Sequence, residues 1–252
     1  MPRRVKIYYQ LEKTAMIRSI FCFVILLISL KAFSQETVLE NRFTPSVDYK
    51  LNKKWKFAFD YRLTLKNDFS VFKSSNFQFA ITYKIIKSLS LELGYRFTTA
   101  FANDNHRLFA DLQYEYKIKE WSLSSNTRYQ FSTEQFDADF MRDFNAADHY
   151  IRQKISASYD VPGTKFSVEL APELFVKINE REVFVQRMRY HASVGYKLKY
   201  GNTVGLALFY EDVLKTSKND RLVINVKYHL SINDLIKKIK KEQKKKKKKK
   251  SE

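Results

Sequence analysis

From about residue 43 the chain alternates apolar and polar side chains with a period of two. Trp55, Phe57, Phe59, Tyr61, Leu63 and Leu65 are separated by Lys56, Asp60, Arg62 and Thr64. The same alternation runs through Phe77 to Ile85, Leu89 to Phe97, Leu108 to Tyr116, Trp121 to Phe131 and Ile151 to Tyr159. It continues through Phe166 to Leu174, Met188 to Tyr196, Val204 to Tyr210 and Leu222 to Leu230. Strict alternation puts one set of side chains on each face of a strand. With Val47-Tyr49-Leu51 counted, about eleven such segments arise.

Segments of about 9–11 residues match the length of a tilted membrane-spanning strand. The connections are predicted to alternate in length. Those around 52–54, 86–88, 118–120, 161–164 and 198–202 are short. Those at 66–75, 98–105, 132–148, 176–186 and 211–220 are long. Aromatics cluster at both ends of the apolar face: Trp55, Tyr83, Trp121, Tyr159 and Tyr196 by the short turns, Tyr95, Phe97, Tyr129 and Phe131 by the long loops. Two such girdles are expected because amphipathic rings settle at headgroup depth. The pattern predicts an all-β, antiparallel, up-and-down transmembrane barrel with short periplasmic turns and longer extracellular loops. An even strand count is the rule for such barrels, so twelve strands are expected, within a range of ten to twelve. Glu36 to Arg42 would supply the twelfth, although Pro45 cannot donate to a ladder there. A soluble periplasmic β domain is the competing architecture.

Residues 1–34 read as a secretory signal: Arg18, an apolar run from Ile20 to Leu30, and small residues at Ala32 and Ser34 for cleavage before Gln35. Met16 is a candidate true start. The apolar run is too short to span a bilayer as a helix. Cys22, the sole cysteine, lies inside it, so the processed chain holds neither disulfides nor cysteine metal ligands. These features predict export to the outer membrane of a Gram-negative bacterium, with a barrel over 35–230 and a lysine-rich tail over 231–252.

The formal charge of +19 is concentrated at the ends, with +5 on residues 1–34 and +8 on 231–252. The barrel region retains only +6, and with export this argues against a nucleic-acid partner. Ile232, Leu235, Ile236 and Ile239 have helical spacing ahead of Lys244 to Lys250. Such a tail is a candidate ligand for an anionic envelope polymer or anionic headgroups.

If the apolar face meets lipid, the intervening residues line a lumen. Arg62, Arg96, Arg128, Arg152 and Arg189 are then inward, each seven residues from a side chain at the short-turn end. Glu173, Glu211 and Arg221 sit at a similar depth, with Arg107 and Arg187 nearer the rim. Asp60, Glu92, Asp111, Glu169, Glu173 and Glu211 are candidate carboxylate partners. Such a charged belt reads either as a structural filling or as a constriction that attracts small anionic solutes, since guanidinium groups bind phosphate and carboxylate in two-point fashion.

Enzyme chemistry finds little support. There is no G-x-S-x-G elbow and no H-E-x-x-H. His191 and Ser193 share a strand face at a spacing too long for a nucleophile–base bond, and the four histidines are scattered. No cofactor, metal or catalytic residue is assigned. A barrel-wall lipid hydrolase or acyltransferase, or a binding or adhesion module using the Ser132–Asp148 loop, are the alternatives to a structural or solute-passing barrel. Phe136, Phe140, Met141 and Phe144 also make that loop compatible with an inward plug.

Several short stretches resemble a family of outer-membrane barrels filed as domain of unknown function 2490: Tyr49-Lys-Leu-Asn-Lys-Lys-Trp55, Tyr83 to Arg96, His106-Arg107-Leu108, Pro172-Glu173-Leu174-Phe175, Gln186 to Tyr190 and Gly195 to Leu198. The resemblance covers about 36–230. It implies a barrel fold and outer-membrane location, with outer-membrane lipid and the export and barrel-assembly machinery as partners. It transfers no activity, and the lysine tail lies outside it.

Overall fold

A computed structural model describes residues 37–66, 69–101, 103–134, 144, 147–178, 182–198, 201–214 and 219–248. The signal segment at 1–34, with Met16, lies outside these residues, as do Phe136, Phe140 and Met141 of the 132–148 loop. Eleven strands close into one barrel: β1 (Val38–Lys50), β2 (Trp55–Lys66), β3 (Val71–Lys84), β4 (Leu89–Ala100), β5 (Asn105–Ile118), β6 (Trp121–Thr133), β7 (Asp148–Asp160), β8 (Phe166–Ile178), β9 (Val183–Lys197), β10 (Thr203–Val213) and β11 (Arg221–Ser231). A helix, α1 (Ile232–Lys248), follows β11. Among the described residues no helix is long and apolar enough to cross a membrane.

Sequence neighbours pair antiparallel all the way round, and β1 closes on β11 in parallel from Val38↔Arg221 to Asp48↔Ser231. An odd number of alternating strands leaves the first and last pointing the same way, so closure has to be parallel. The count falls within the expected ten to twelve, with Glu40 to Arg42 and Val47 to Tyr49 in one strand that runs through Pro45 rather than in two. The proline interrupts one ladder only. Pairing to β2 skips from Phe43↔Leu63 to Ser46↔Asp60, while pairing to β11 is continuous. Pro172 acts in the same way, breaking the β7 ladder between Lys154↔Glu173 and Ala157↔Leu170. Each strand residue sends its N–H to one side, so a proline costs one neighbour and spares the other.

The strands run 11–15 residues, longer than predicted, and the long connections shrink accordingly. Val71 and Phe72 extend β3, and Val183 and Phe184 extend β9, into stretches where the alternation fades but the ladder continues. Only 134–147 remains much longer than the short turns. β-Bulges at Thr64/Leu65 and Phe175/Val176 add a residue opposite each, at Lys73 and Gln186.

The wall is inverted relative to a soluble protein. Phe79, Leu93 and Ile155 on the outward face are more than half exposed, whereas Glu40, Asp111 and Glu211 on the inward face are fully buried. An apolar exterior around a polar interior is the construction of membrane-spanning barrels. At the short-turn end, tilted aromatic pairs ring the exterior: Trp55–Tyr83 (4.7 Å), Trp121–Tyr159 (4.8 Å) and Phe166–Tyr196 (4.8 Å). At the other end, Tyr95 and Tyr129 meet His106 Nδ1 and His149 Nδ1 at 2.7 and 2.8 Å. Phe144 packs on the outer-wall residues Phe131 and His149, so this described part of the long loop lies outside the lumen rather than plugging it.

Inside, Ala58, Ala80, Gly94 and Phe109 stand in one cross-strand row. The Phe109 ring lies over Gly94 so closely that a Cβ there would sit 2.1 Å from Phe109 Cζ. Gly94→Ala is expected to cost about 1–3 kcal/mol through overpacking. Urea titrations of a double-mutant cycle with Phe109→Leu should show the two changes coupled, with the smaller ring absorbing most of the alanine penalty.

Candidate functional site

Alternation and register bring all ten predicted lumen residues to the inward face. Glu173 accepts from Arg152 Nε (3.1 Å) and Arg152 Nη2, from His191 Nε2 (3.1 Å), and lies 3.6 Å from Arg189 Nη1. Glu211 is held by Arg189 Nε and Arg221 Nη2, with Arg187 Nη1 at 3.5 Å. Arg128 grips Asp111 through Nε and Nη2, both at 2.5 Å. Arg152 also reaches Gln130 Oε1 at 3.0 Å.

Glu40 and Arg42 were missed by the sequence reading, which left 36–42 as an uncertain strand. Glu40 accepts from Arg42 Nη2 (3.0 Å) and Lys73 Nζ, with Arg221 Nη1 at 3.4 Å. The Lys73 contact depends on the bulge. Glu40-x-Arg42 is itself an alternating pair, and that was the available signal. Through Arg221 the network crosses the closing seam, linking Glu40 to Glu211, Glu173 and Gln130 in one chain of charge-assisted bonds.

Inward aromatics complete the belt. Phe175, almost fully buried, is flanked by the guanidinium carbons of Arg189, Arg187 and Arg152 at 4.4, 4.5 and 4.6 Å. Arg128 lies 3.9 Å from the Phe109 ring centre and Arg42 4.9 Å from that of Phe209. Ring faces attract the cations where water is excluded.

The carboxylates do not serve every arginine. Asp60, Glu92 and Glu169 were expected partners, yet they receive Gln78 Nε2 (3.0 Å), Thr82 Oγ1 (2.9 Å) and Lys154 Nζ (3.1 Å). Gln78 stands between Asp60 and Arg96, donating its Nε2 to the carboxylate and accepting from the guanidinium on its Oε1. Among the described residues Arg96 bonds Gln78 Oε1 and Arg107 bonds Ser132 Oγ (2.8 Å). Arg62 makes no hydrogen bond, and its buried Nε is unpartnered, as are Arg42 Nε and Arg187 Nε. Arg107 was placed nearer the rim but stands directly opposite Arg96, because strand stagger offsets residue counts. Arg62, Arg96 and Arg107, on β2, β4 and β5, thus make no carboxylate salt bridge among the described residues, although Asp60 stands two residues from Arg62 on the same face of β2.

Below the belt, a cavity of about 610 Å³ opens at the short-turn end. Lys50, Lys53, Lys54, Lys56, Lys84, Lys87 and Lys154 line it, against Glu115 and Glu169. None of the belt arginines is among the residues that line it.

The histidines divide between networks. His191 bonds Glu173 rather than Ser193, and its ring lies 5.1 Å from that of Phe209. Parallel closure also sets His229 Nδ1 3.0 Å from Ser46 Oγ, with Asp48 Oδ1 3.5 Å from Nε2, a grouping invisible in the sequence. The Ser46 hydroxyl is equally placed to donate to the Tyr228 carbonyl at 3.3 Å, and the Asp48 contact is long for a hydrogen bond.

A closed barrel with an apolar outer wall and a charged, largely filled interior defines the class: a membrane-spanning β-barrel. The chain belongs to the family described as Protein of unknown function (DUF2490), whose model matches residues 32–222. A search of curated proteins finds no match. Among solved structures the chain is similar to one described as "NanC porin structure in rhombohedral crystal form", with 11% identity, 73% of this chain and 93% of that chain covered, and a TM-score of 0.48. It is also similar to a chain from "Unveiling the Mechanism Behind the in-meso Crystallization of Membrane Proteins", with 15% identity, 70% and 71% covered, and a TM-score of 0.36.

Proposed function

We propose that this protein is an outer-membrane barrel whose lumen passes small anionic solutes, with the short turns facing the periplasm. The observation that carries the reading is that Arg62, Arg96 and Arg107 make no carboxylate salt bridge among the described residues, above a lysine-lined vestibule. Lysines around a low-dielectric mouth concentrate anions. Guanidinium groups with spare donors then offer them two-point binding at the constriction. In planar bilayers separating a tenfold KCl gradient, the purified barrel is expected to conduct, with a reversal potential of the sign that chloride flux dictates. Absence of conductance, together with no uptake of small organic anions by vesicles, would refute the passage.

The packing of the belt favours a second reading. Glu40, Asp111, Glu173 and Glu211 are buried and paired, and Phe175 closes the gap between their partners. Such a filling serves as a structural septum across a small barrel. The same bilayer measurement separates the two, since a septum carries no current.

A further inference from the structure

Where β11 ends, the chain turns directly into α1, and the first turn of that helix is tied to the barrel rim. The Asn233 amide docks on the backbone of Lys50, the last residue of β1, accepting from its N–H at 2.6 Å and donating to its carbonyl at 2.9 Å. Asp234 packs on Gly201, which has φ of 75° and where a Cβ would sit 2.5 Å from Asp234 Cβ. The helix is thus held both at the seam and at the β9–β10 turn.

Ile232, Leu235, Ile236 and Ile239 fall at i, i+3, i+4 and i+7, one stripe of a helix. Ile232 lines the same apolar groove of the outer wall as Val47, Tyr49 and Phe57. The stripe therefore begins on the lipid-facing side of the barrel. Beyond it, Ile236 and Ile239 are 39% and 46% exposed, and Lys237, Lys240 and Lys241 are exposed around them.

We propose that α1 is an interfacial helix that lies on the anionic phospholipid leaflet at the short-turn rim, sinking Ile236 and Ile239 among acyl chains while its lysines meet headgroup phosphates. Two observations select this occupant. The apolar stripe is continuous with a wall already facing lipid, and the rest of the helix carries the positive charge that an anionic surface attracts. The proposal rests on the barrel being membrane-embedded, and it is independent of whether the lumen conducts.

The test is hydrogen exchange of the folded full-length protein in nanodiscs of phosphatidylglycerol and of phosphatidylcholine. Amides of residues 232–243 should exchange at least tenfold more slowly in phosphatidylglycerol, with strand amides unchanged between the two lipids. Ile236→Ser/Ile239→Ser should remove the difference while leaving the strands protected. Equal protection in both lipids would overturn the proposal, because the rim contacts alone would then account for it. Protection that arises only when soluble polyglutamate is added would also overturn it, since an acidic polymer would then be the partner.

Discussion

Glu173→Ala is expected to lower the unfolding free energy by about 3–5 kcal/mol, the usual cost of removing one member of a buried charge network. The carboxylate is the shared acceptor for Arg152 and His191 and lies beside Arg189, so its loss leaves Arg152 on the Phe175 ring without a carboxylate and Arg189 with Glu211 alone. Urea titration in lipid vesicles, followed by the fluorescence of Trp55 and Trp121, would measure it. Glu173→Gln should fall between the two, since an amide oxygen still accepts from Arg152. A loss under 1 kcal/mol for the alanine variant would mean that the belt is wetter and looser than its geometry.

Neutralising Arg62, Arg96 and Arg107 together to glutamine should have the opposite signature, with selectivity changed and stability kept. Among the described residues none of the three makes a carboxylate salt bridge, and Asp60, two residues from Arg62 on β2, keeps its hydrogen bond from Gln78. A unit anion about 8 Å from each in a water-filled constriction gains about 0.5 kcal/mol per guanidinium, or about 1.5 kcal/mol for three. That corresponds to a roughly tenfold loss of anion occupancy and, with the matching relief of cation repulsion, to a roughly hundredfold fall in the anion-to-cation permeability ratio, read as a shift in reversal potential. A ratio that does not move would remove this sector from any part in conduction.

The contrast between the two variants follows from where acids and bases fall around the belt. β1, β8 and β10 supply Glu40, Glu173 and Glu211 to arginines on β1, β7, β9 and β11, and β5 supplies Asp111 to Arg128 on β6. Arg62 on β2, Arg96 on β4 and Arg107 on β5 have no such neighbour. The β2 ladder is interrupted beside Arg62, opposite Thr44 and Pro45, which leaves that arginine next to a local break in the wall.

Much of this was written in the alternation itself. The side-chain period of two assigns each strand residue to lipid or lumen whatever its neighbours, so Arg62, Arg96, Arg128, Arg152 and Arg189 could be turned inward from the sequence alone. The aromatic girdles follow from the same face assignment. What the period cannot encode is registration between strands. Asp60, Glu92 and Glu169 looked like arginine partners because they face inward, but register sets Gln78, Thr82 and Lys154 against them instead. The eleven segments were legible too, but even parity suggested a twelfth: Pro45 looks like a terminator when every ladder is assumed equal, although it breaks only the β2 side. The parallel seam then follows from odd parity, and it brings Glu40 to Arg221 and Asn233 to Lys50 across more than 180 residues. Local chemistry determined which way each side chain points; closure of the sheet decided what it meets there, because those contacts depend on the whole circumference.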